Sequence, residues 1–416
     1  MSQKYTLTIG GVDREFEYIR FVKSHPNPDP DTWEAYVPLY NGVPSGGEIN
    51  DGDTVVIKRD GATVFSGIVE EIDPRVKQSG SYARVAGRHI KVYLWRKWTE
   101  RREDPKMGGF FGGATLDPTT NNRFFYAHQA IKFILRRPKS DDPTTGYHRV
   151  GWGILADNFT VSESGMGTAS GTSLDYTKDR LVLQGWKSNT NPDSGDYIKI
   201  DLGYVRTVCA LRVDNRDPDN IDNIMTKLDV LTNTVDNIGT ATLRDSISAN
   251  SARNLYFSWS PAPARYIYIR VGEAQTNPWF IGELFVYESE GEITGINIGT
   301  IDTSHAPLNT AIDQTYMRIS EAIEGIVSLC TTNDAVPWEW WVTDDGDINF
   351  AERRGSDKSG TVSFGYGSNF EDVQVERSSK KRVDRVWVLG KGSGNEQDKH
   401  SSMWVGSGEY ENVVVD

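Results

Sequence analysis

A strict alternation of side chains runs through Ala264-Arg265-Tyr266-Ile267-Tyr268-Ile269-Arg270. Because successive residues of a β-strand point to opposite faces, the stretch predicts a strand with one face in a core. A similar run, Asp196-Tyr197-Ile198-Lys199-Ile200-Asp201-Leu202-Gly203, precedes it. Shorter β-like runs lie between the two, at Val205–Val213, Lys227–Leu231 and Leu255–Trp259. Together these runs predict an all-β module over about residues 151–290.

The sequence before this module predicts a second β-rich region. The runs Thr54–Lys58 and Ala62–Glu70 are separated by Arg59-Asp60-Gly61, and Asp-Gly between two such runs is a strong hairpin signal. With the neighbouring runs they predict a small β-barrel of five to seven strands over residues 1–105. A connector over residues 106–150 follows.

Two helices are predicted, one on each side of the central module. Apolar residues recur at helical spacing from Phe125 to Arg137, and Pro138 stops the pattern. A second apolar face predicts a helix from Asp313 to Leu329.

The final region, residues 291–416, combines that second helix with strands. A hairpin is predicted from Trp338–Val342 and Ile348–Phe350, and a further pair from Phe370–Glu376 and Arg385–Leu389. The fold class is therefore mainly β with a few short helices.

Composition excludes several classes of function. The 416 residues carry 45 basic and 58 acidic side chains, a net charge of −13, so binding to a nucleic-acid backbone is not favoured. No apolar run is long enough for a membrane span. The spacing of Cys209 and Cys330 fits neither a disulfide framework nor a zinc site. The amino terminus enters a β-like pattern without the apolar core of a signal peptide, so we expect folding in a cytoplasm.

The sequence offers no constellation of residues for catalysis. The six histidines are scattered singly, and no nucleophile elbow, phosphate-binding loop or dinucleotide-binding loop is present. The acidic run Asp344-Asp345-Gly346-Asp347 has the composition of a turn between two strands, and this interpretation is favoured over a calcium or acid–base site. We expect no enzyme activity, no cofactor and no metal.

The central module resembles the discoidin, or coagulation factor 5/8 type C, family. The resemblance is carried by Trp186, by the runs 196–203 and 264–270 quoted above, and by Ile281-Gly282-Glu283-Leu284-Phe285-Val286-Tyr287. It implies a jelly-roll β-sandwich that binds its ligand with loops at one end. The loops at the corresponding positions contain these candidate ligand-binding residues: Tyr176, Lys187, Asn189, Asn191, Asn215, Arg216, Asp217, Asn277, Pro278 and Trp279.

A sugar-binding function for these loops has a chemical basis. A sugar site needs a flat aromatic ring for the apolar sugar face and amide or charged groups for the hydroxyls. Trp279 supplies the ring, and Arg216 and Asn191 supply the polar groups. The alternative is that Trp279 and Trp186 pack in the core and that the loops are only solvated.

The flanking regions resemble the central hub proteins of phage tail tips and baseplates, which are related to the late control proteins. One matching segment is Gly61–Glu70 with Ala83–Arg88. The others are Ser320–Leu329 with 338–350, and Val373–Arg377 before Val383–Gly390. The order and spacing agree over roughly residues 1–137 and 290–391, interrupted once.

The second resemblance implies hub-type β-barrel domains interrupted by the sandwich. In that family the hub is a homotrimer that closes the tail tube. It contacts the tube or distal tail protein on one side and the tape measure or tail fibres on the other. The expectation is a virion tail protein, assembled in the host cytoplasm, whose sandwich faces outward to a host surface glycan. Two alternatives remain: a stand-alone carbohydrate-binding protein and a cell-wall hydrolase.

Overall fold

The computed structural model divides the chain into two units, Met1–Arg354 and Gly355–Asp416. It describes residues 4–23, 31–77, 80–96, 125–136, 138–139, 159–178, 185–215, 224–289, 293, 295–309, 318–352, 385–389, 399–404 and 411–415.

The first sheet contains eight strands in the order β2-β1-β6-β7-β8-β4-β3, with β5 paired to β4. Its strands are β1 (Tyr5–Ile9), β2 (Val12–Arg14), β3 (Tyr18–Val22), β4 (Thr32–Tyr40), β5 (Val43–Pro44), β6 (Thr54–Arg59), β7 (Ala62–Lys77) and β8 (Gly80–His89). The predicted hairpin is present as β6 and β7. Its turn residues Asp60 and Gly61 both have positive φ, 50° and 86°, as a two-residue hairpin turn requires.

This sheet is rolled but is not a closed barrel, which corrects the prediction for residues 1–105. The edge strands β2 and β3 form no ladder with each other among the described residues. Their sides of the sheet do approach, since the ring of Tyr5 lies edge-on to that of Phe21 at 6.5 Å. The guanidinium of Arg14 on β2 donates to the carbonyls of Ser45 and Gly47, so a loop lies beside this edge.

Three helices are described: α1 (Val92–Arg96), α2 (Ala127–Leu135) and α3 (Ile319–Asp334). Helix α2 confirms the first predicted helix, and it ends before Pro138 because proline cannot continue the hydrogen-bond ladder. Helix α3 extends beyond the predicted end at Leu329, to Asp334, and Ala335 terminates it in the left-handed conformation at φ 57°. The predicted start of this helix lies outside the described residues.

The predicted central module is a β-sandwich. Its strands are β9 (Pro138–Lys139), β10 (Thr160–Glu163), β11 (Trp186–Lys187), β12 (Tyr197–Asp214), β13 (Leu228–Asn233), β14 (Thr242–Ile247), β15 (Asn254–Val271), β16 (Phe280–Ile281) and β17 (Glu283–Ser289). The main sheet has the order β14-β13-β15-β12-β17-β9, with β10 on β12, and β11 pairs with β16.

A long bent ribbon forms the frame of this sandwich. Strands β12 and β15 pair from Tyr197↔Arg270 to Asp214↔Asn254, with register shifts near the middle. Gly203, at φ 78°, lies in the first shift. The ribbon folds over itself there, because Ile198 from one half and Val213 from the other belong to the same core.

The sandwich shares a second core with its flanks. The opposite face of β15 and β17 carries Tyr256 and Tyr287, which belong to one cluster with α2 and α3. Both flanks of the chain meet in this cluster, where the backbone N–H of Leu308 donates to the carbonyl of Phe125 at 2.7 Å. The module is therefore built into the larger body.

A three-stranded sheet completes this unit, with β18 (Asn297–Ile301), β19 (Trp338–Val342) and β20 (Asp347–Glu352) in the order β18-β20-β19. Strands β19 and β20 confirm the predicted hairpin. Strand β18, parallel to β20, was not predicted.

The second unit, described by itself, contains β21 (Arg385–Leu389), β22 (Lys399–Trp404) and β23 (Glu411–Val415) in the order β22-β21-β23. Strand β21 confirms the predicted run at Arg385–Leu389, and its predicted partner, Phe370–Glu376, lies outside the described residues.

Candidate functional site

Four loops of the sandwich meet at one end because the β12–β15 ribbon is bent. Asn250, which precedes β15, donates its backbone N–H to the carbonyl of Thr226 at 2.7 Å. Gly272, which follows β15, donates to the carbonyl of Lys227 at 3.0 Å. Both ends of β15 are thus tied to one short segment. We call the four loops, residues 188–196, 224–227, 248–253 and 272–279, the loop end.

Backbone hydrogen bonds hold these loops in a fixed arrangement. Gln275 donates its N–H to the carbonyl of Pro192 at 2.9 Å, and the side-chain amide of Asn191 donates to the carbonyl of Thr276 at 2.8 Å. The backbone N–H of Ser188 donates to the carbonyl of Trp279 at 2.9 Å. A surface held in this way keeps its polar groups in place before a ligand arrives, which lowers the entropic cost of binding.

Trp279 lies in the core and not on the loop surface, which corrects its expected role as a stacking platform. Its side chain is 0% exposed. The indole lies edge-on to Trp186, with ring centroids 6.1 Å apart, and donates its Nε1–H to Oδ1 of Asn215 at 3.2 Å. A fully covered ring has no face for a sugar, so Trp279 supports the loop end from beneath.

Asn215 is buried with this tryptophan. Its side chain is 1% exposed, and its Nδ2 has no hydrogen-bond partner among the described residues. Its amide holds the indole in place and does not contribute to the surface.

The remaining asparagines lie at the surface of the loop end. Asn189 and Asn191 are exposed, and Asn277 is partly buried. Asn189 keeps its backbone position through an N–H···O bond to Gly167 at 3.2 Å. The structure therefore brings three of the candidate residues together as accessible amides.

Two other candidates lie on the segment beside the loop end. Tyr176 is in a 3₁₀ turn, Leu174–Lys178, and its side chain is 36% exposed. Lys187 is in β11, directly before the loop end, and is partly buried. No described contact joins Tyr176 to the asparagines. Arg216 and Asp217 lie outside the described residues.

Sequence reasoning missed four further polar groups at this end: Asp193, Ser194, Glu273 and Thr276, all of which are exposed. Their position directly before β12 or after β15, both predicted as strands, was the available signal. With the asparagines they form a surface of amide, hydroxyl and carboxylate groups, which is suited to bind the hydroxyls of a polar ligand.

Two ionic contacts of the sandwich involve residues of β12 and β15. Hydrogen bonds from Lys199 and Tyr268 lower the pKa of the Asp236 carboxyl. A paired hydrogen bond from Arg265 lowers the pKa of Asp201. The contacts of Asp236 fasten the β13–β14 connection to the sheet, and the Asp201–Arg265 pair joins β12 to β15.

In the described ranges, no group of three or more His, Cys, Asp or Glu side chains is placed to hold a metal ion. No described helix is long and apolar enough to cross a membrane.

Comparison with known proteins shows similarity over about a third of the chain. No family model matches the chain, and no curated protein matches it. Among solved structures, it is similar to the family 32 carbohydrate-binding module of NanJ from Clostridium perfringens, in complex with galactose. The identity is 19% over 32% of this chain and 97% of that chain, with a TM-score of 0.29.

Two further structures show the same likeness. The two family 32 modules of Clostridium perfringens ZmpB, in complex with GalNAc, are 12% identical over 33% of this chain and 36% of that chain, with a TM-score of 0.30. The family 32 module of AlyQ, in complex with 4,5-unsaturated mannuronic acid, is 23% identical over 31% of this chain and 92% of that chain, with a TM-score of 0.25.

Proposed function

We propose that the loop end binds carbohydrate without catalysing its cleavage. The observation that carries this proposal is the fixed set of accessible amides and carboxylates at one end of the sandwich, held by hydrogen bonds between four loops. Such groups bind sugar hydroxyls in defined directions. The motifs shared with the discoidin family, which binds with loops at this end, support the same role.

A double substitution of Asn189→Ala with Asn191→Ala tests the loop end. Each lost hydrogen bond weakens binding by about 0.5–1.5 kcal/mol, so we expect affinity for a captured glycan to fall about tenfold. A glycan array that includes galactose and N-acetylgalactosamine identifies the glycan. Calorimetry on the intact chain then measures the affinity of the wild type and of the variant for it.

Thr234→Ala is the matched control. Thr234 is exposed and follows the far end of β13, whose other end adjoins the loop end, so this change should leave affinity unaltered. Equal affinity for the double variant and the wild type would count against the loop end as the site. Failure of the wild type to bind any glycan would remove the proposed function itself.

We further propose that the flanks form the body of a phage tail-tip or baseplate hub that carries this module. The shared core of α2, α3 and the outer face of the sandwich supports a built-in module more than a free lectin with accessory domains. In this proposal three chains close the tail tube. They contact the tube or distal tail protein on one side and the tape measure or fibres on the other. Three modules around one axis strengthen weak sugar contacts by avidity.

Light scattering on the purified chain tests the assembly. We expect a mass of about three times the 46.5 kDa of one chain at micromolar concentration. Negative-stain images should then show threefold particles. A monomer that stays monomeric in the presence of purified tail-tube protein would contradict the hub proposal and would favour the stand-alone carbohydrate-binding protein.

A further inference from the structure

Two histidines that the proposed function does not use lie in contact where the sandwich meets its flanks. His128 is in the first turn of α2, and His305 lies in the segment after β18; they are 8% and 5% exposed. Their rings meet edge to face, with Nδ1 of His128 3.0 Å from Nε2 of His305. They line a cavity of about 530 Å³ whose other walls are residues 246–251 of the sandwich and residues 303–307.

The hydrogen bonds of the pair define its protonation. Nδ1 of His305 is 2.9 Å from the carbonyl of Ala306, and a carbonyl only accepts, so Nδ1 carries the proton. Nε2 of His305 is then the acceptor in the neutral ring. It accepts from the backbone N–H of His128 at 3.1 Å and from Nδ1 of the same residue. His305 is therefore neutral in this arrangement, and His128 carries a proton on Nδ1.

His305 also caps a helix. The backbone N–H of His128 is one of the first N–H groups of α2, which have no partner within a helix. Tyr126, at the N-cap, makes no side-chain cap bond. A proton on Nε2 of His305 would face two donors and place positive charge at the positive end of the helix dipole.

The same corner fastens the sandwich loop. The backbone N–H of Ser251 donates to the hydroxyl oxygen of Tyr126 at 2.9 Å, and Oγ of Ser251 lies 3.3 Å from the same atom. Thus Tyr126, the N-cap of α2, holds loop 246–251, and the first turn of the helix is held by His305. Because both contacts are made by the start of α2, loss of the His128–His305 contact also weakens the contact between Tyr126 and Ser251.

The charges around the pair come from each neighbouring element. Burial lowers the pKa of His128, and His305 and Lys132, which lies one turn later on α2, lower it further. Burial also lowers the pKa of His305, while the bond to Ala306, Asp334 at the end of α3 and Asp302 oppose that change. The sandwich loop contributes the hydroxyls of Ser246, Ser248 and Ser251, and β19 and β20 contribute aromatic rings.

We propose that the His128–His305 contact is an acid-sensitive latch that holds the sandwich loop 246–251 and the segment 303–307 against the start of α2. When the contact opens, both imidazoles are exposed to water and take up a proton at about pH 6.5, the ordinary pKa of histidine. In the closed state burial lowers the pKa of both rings, so they take up a proton only at a lower pH. Below about pH 6.5 the open state therefore binds more protons, and the closed state is progressively lost as pH falls; above that pH the latch contributes fully.

Hydrogen–deuterium exchange on the intact chain at pH 7.5 and pH 5.5, corrected for intrinsic rates, tests the latch. In the wild type, exchange in peptides covering 125–136, 246–251 and 303–308 should rise at pH 5.5 by about tenfold for each histidine that titrates on opening. In the variant His128→Gln with His305→Gln the rise should be less than about twofold, since neither imidazole is then present to take up a proton. The buried carboxyl of Asp245, whose pKa burial raises, adjoins the same loop and is common to both proteins, so any contribution it makes is the same in each. Peptides of β1 and β6 serve as the internal reference.

A second measurement keeps the proposal testable if the double variant does not fold. With histidine rings labelled for NMR in the wild-type chain, the two rings of the latch should keep the chemical shifts of neutral imidazole below pH 6.5. Single His→Gln variants assign them. The proposal is overturned if the rings of His128 and His305 titrate near pH 6.5, if the wild type shows no local rise in exchange, or if the double variant shows the same rise.

Discussion

Replacing Trp279 with alanine is expected to destabilise the sandwich by about 3–5 kcal/mol, the usual cost of emptying a fully buried aromatic site. The indole is completely covered and lies edge-on to Trp186. The change also removes the donor to Oδ1 of Asn215, whose amide nitrogen is already without a described partner. A buried amide that loses its hydrogen bond adds to the cost of the cavity.

Thermal unfolding of the intact chain, followed by near-ultraviolet circular dichroism, measures this effect. We expect the midpoint of the sandwich transition to fall by on the order of 10 °C. Trp279→Phe, which keeps an aromatic ring but loses the N–H donor, should show a smaller decrease. Tyr176→Ala is the matched control for an exposed aromatic, and it should change the midpoint by little.

Glycan binding distinguishes the two roles considered for this residue. If Trp279 supports the loops, its loss weakens binding only together with stability. A variant that folds with an unchanged midpoint but no longer binds glycan would restore Trp279 as a stacking platform. The burial of the ring would then have to change on binding.

The strands of the sandwich could be predicted because their local pattern and their burial agree. In the run 264–270 the isoleucines face the inner core and the tyrosines the outer face, as the alternation requires. The bend in the ribbon could not be predicted in the same way. It arises at register shifts around Asp201 and Val208, which depend on the partner strand.

The sequence predicted which loops lie at one end of the sandwich, and it did not predict how their side chains are oriented. The loops before β12 and after β15 do meet, because the two strands are antiparallel neighbours and the start of β12 lies beside the end of β15. Whether Trp279 points outward or inward depends on Trp186 and Asn215, which are distant in sequence and give no local signal. An aromatic next to a strand is compatible with either role, and burial decides between them.

The parts of the flanks that were missed depend on non-local contacts. Strand β18 contains Gly299 and only two isoleucines, so its local propensity is weak, and it is held by parallel pairing with β20. The first sheet has all the alternation of a barrel, but closure requires a ladder between its two edges. Alternation reports which face is buried and carries no information on closure.

Phe133→Ala is expected to have the second large effect, because this side chain joins the sandwich to its flanks. Phe133 on α2 is 1% exposed. It lies edge-on to Tyr256 on β15 and to Tyr287 on β17, with ring centroids 5.3 and 5.1 Å apart. Truncation should cost about 3–5 kcal/mol, including the loss of two favourable edge-to-face contacts.

We expect the loss of stability to be local to the cluster that α2 shares with β15 and β17. Amide exchange in α2, in the first residues of β15 around Tyr256 and in β17 should accelerate, while the inner sandwich core stays protected. Phe65→Ala is the control, since Phe65 is also fully buried but lies in the first sheet. It should lower stability by a similar amount and leave exchange in β17 unchanged. If Phe133→Ala also leaves β17 unchanged, the module folds independently of the body, and its role as a built-in part of a hub loses its main structural support.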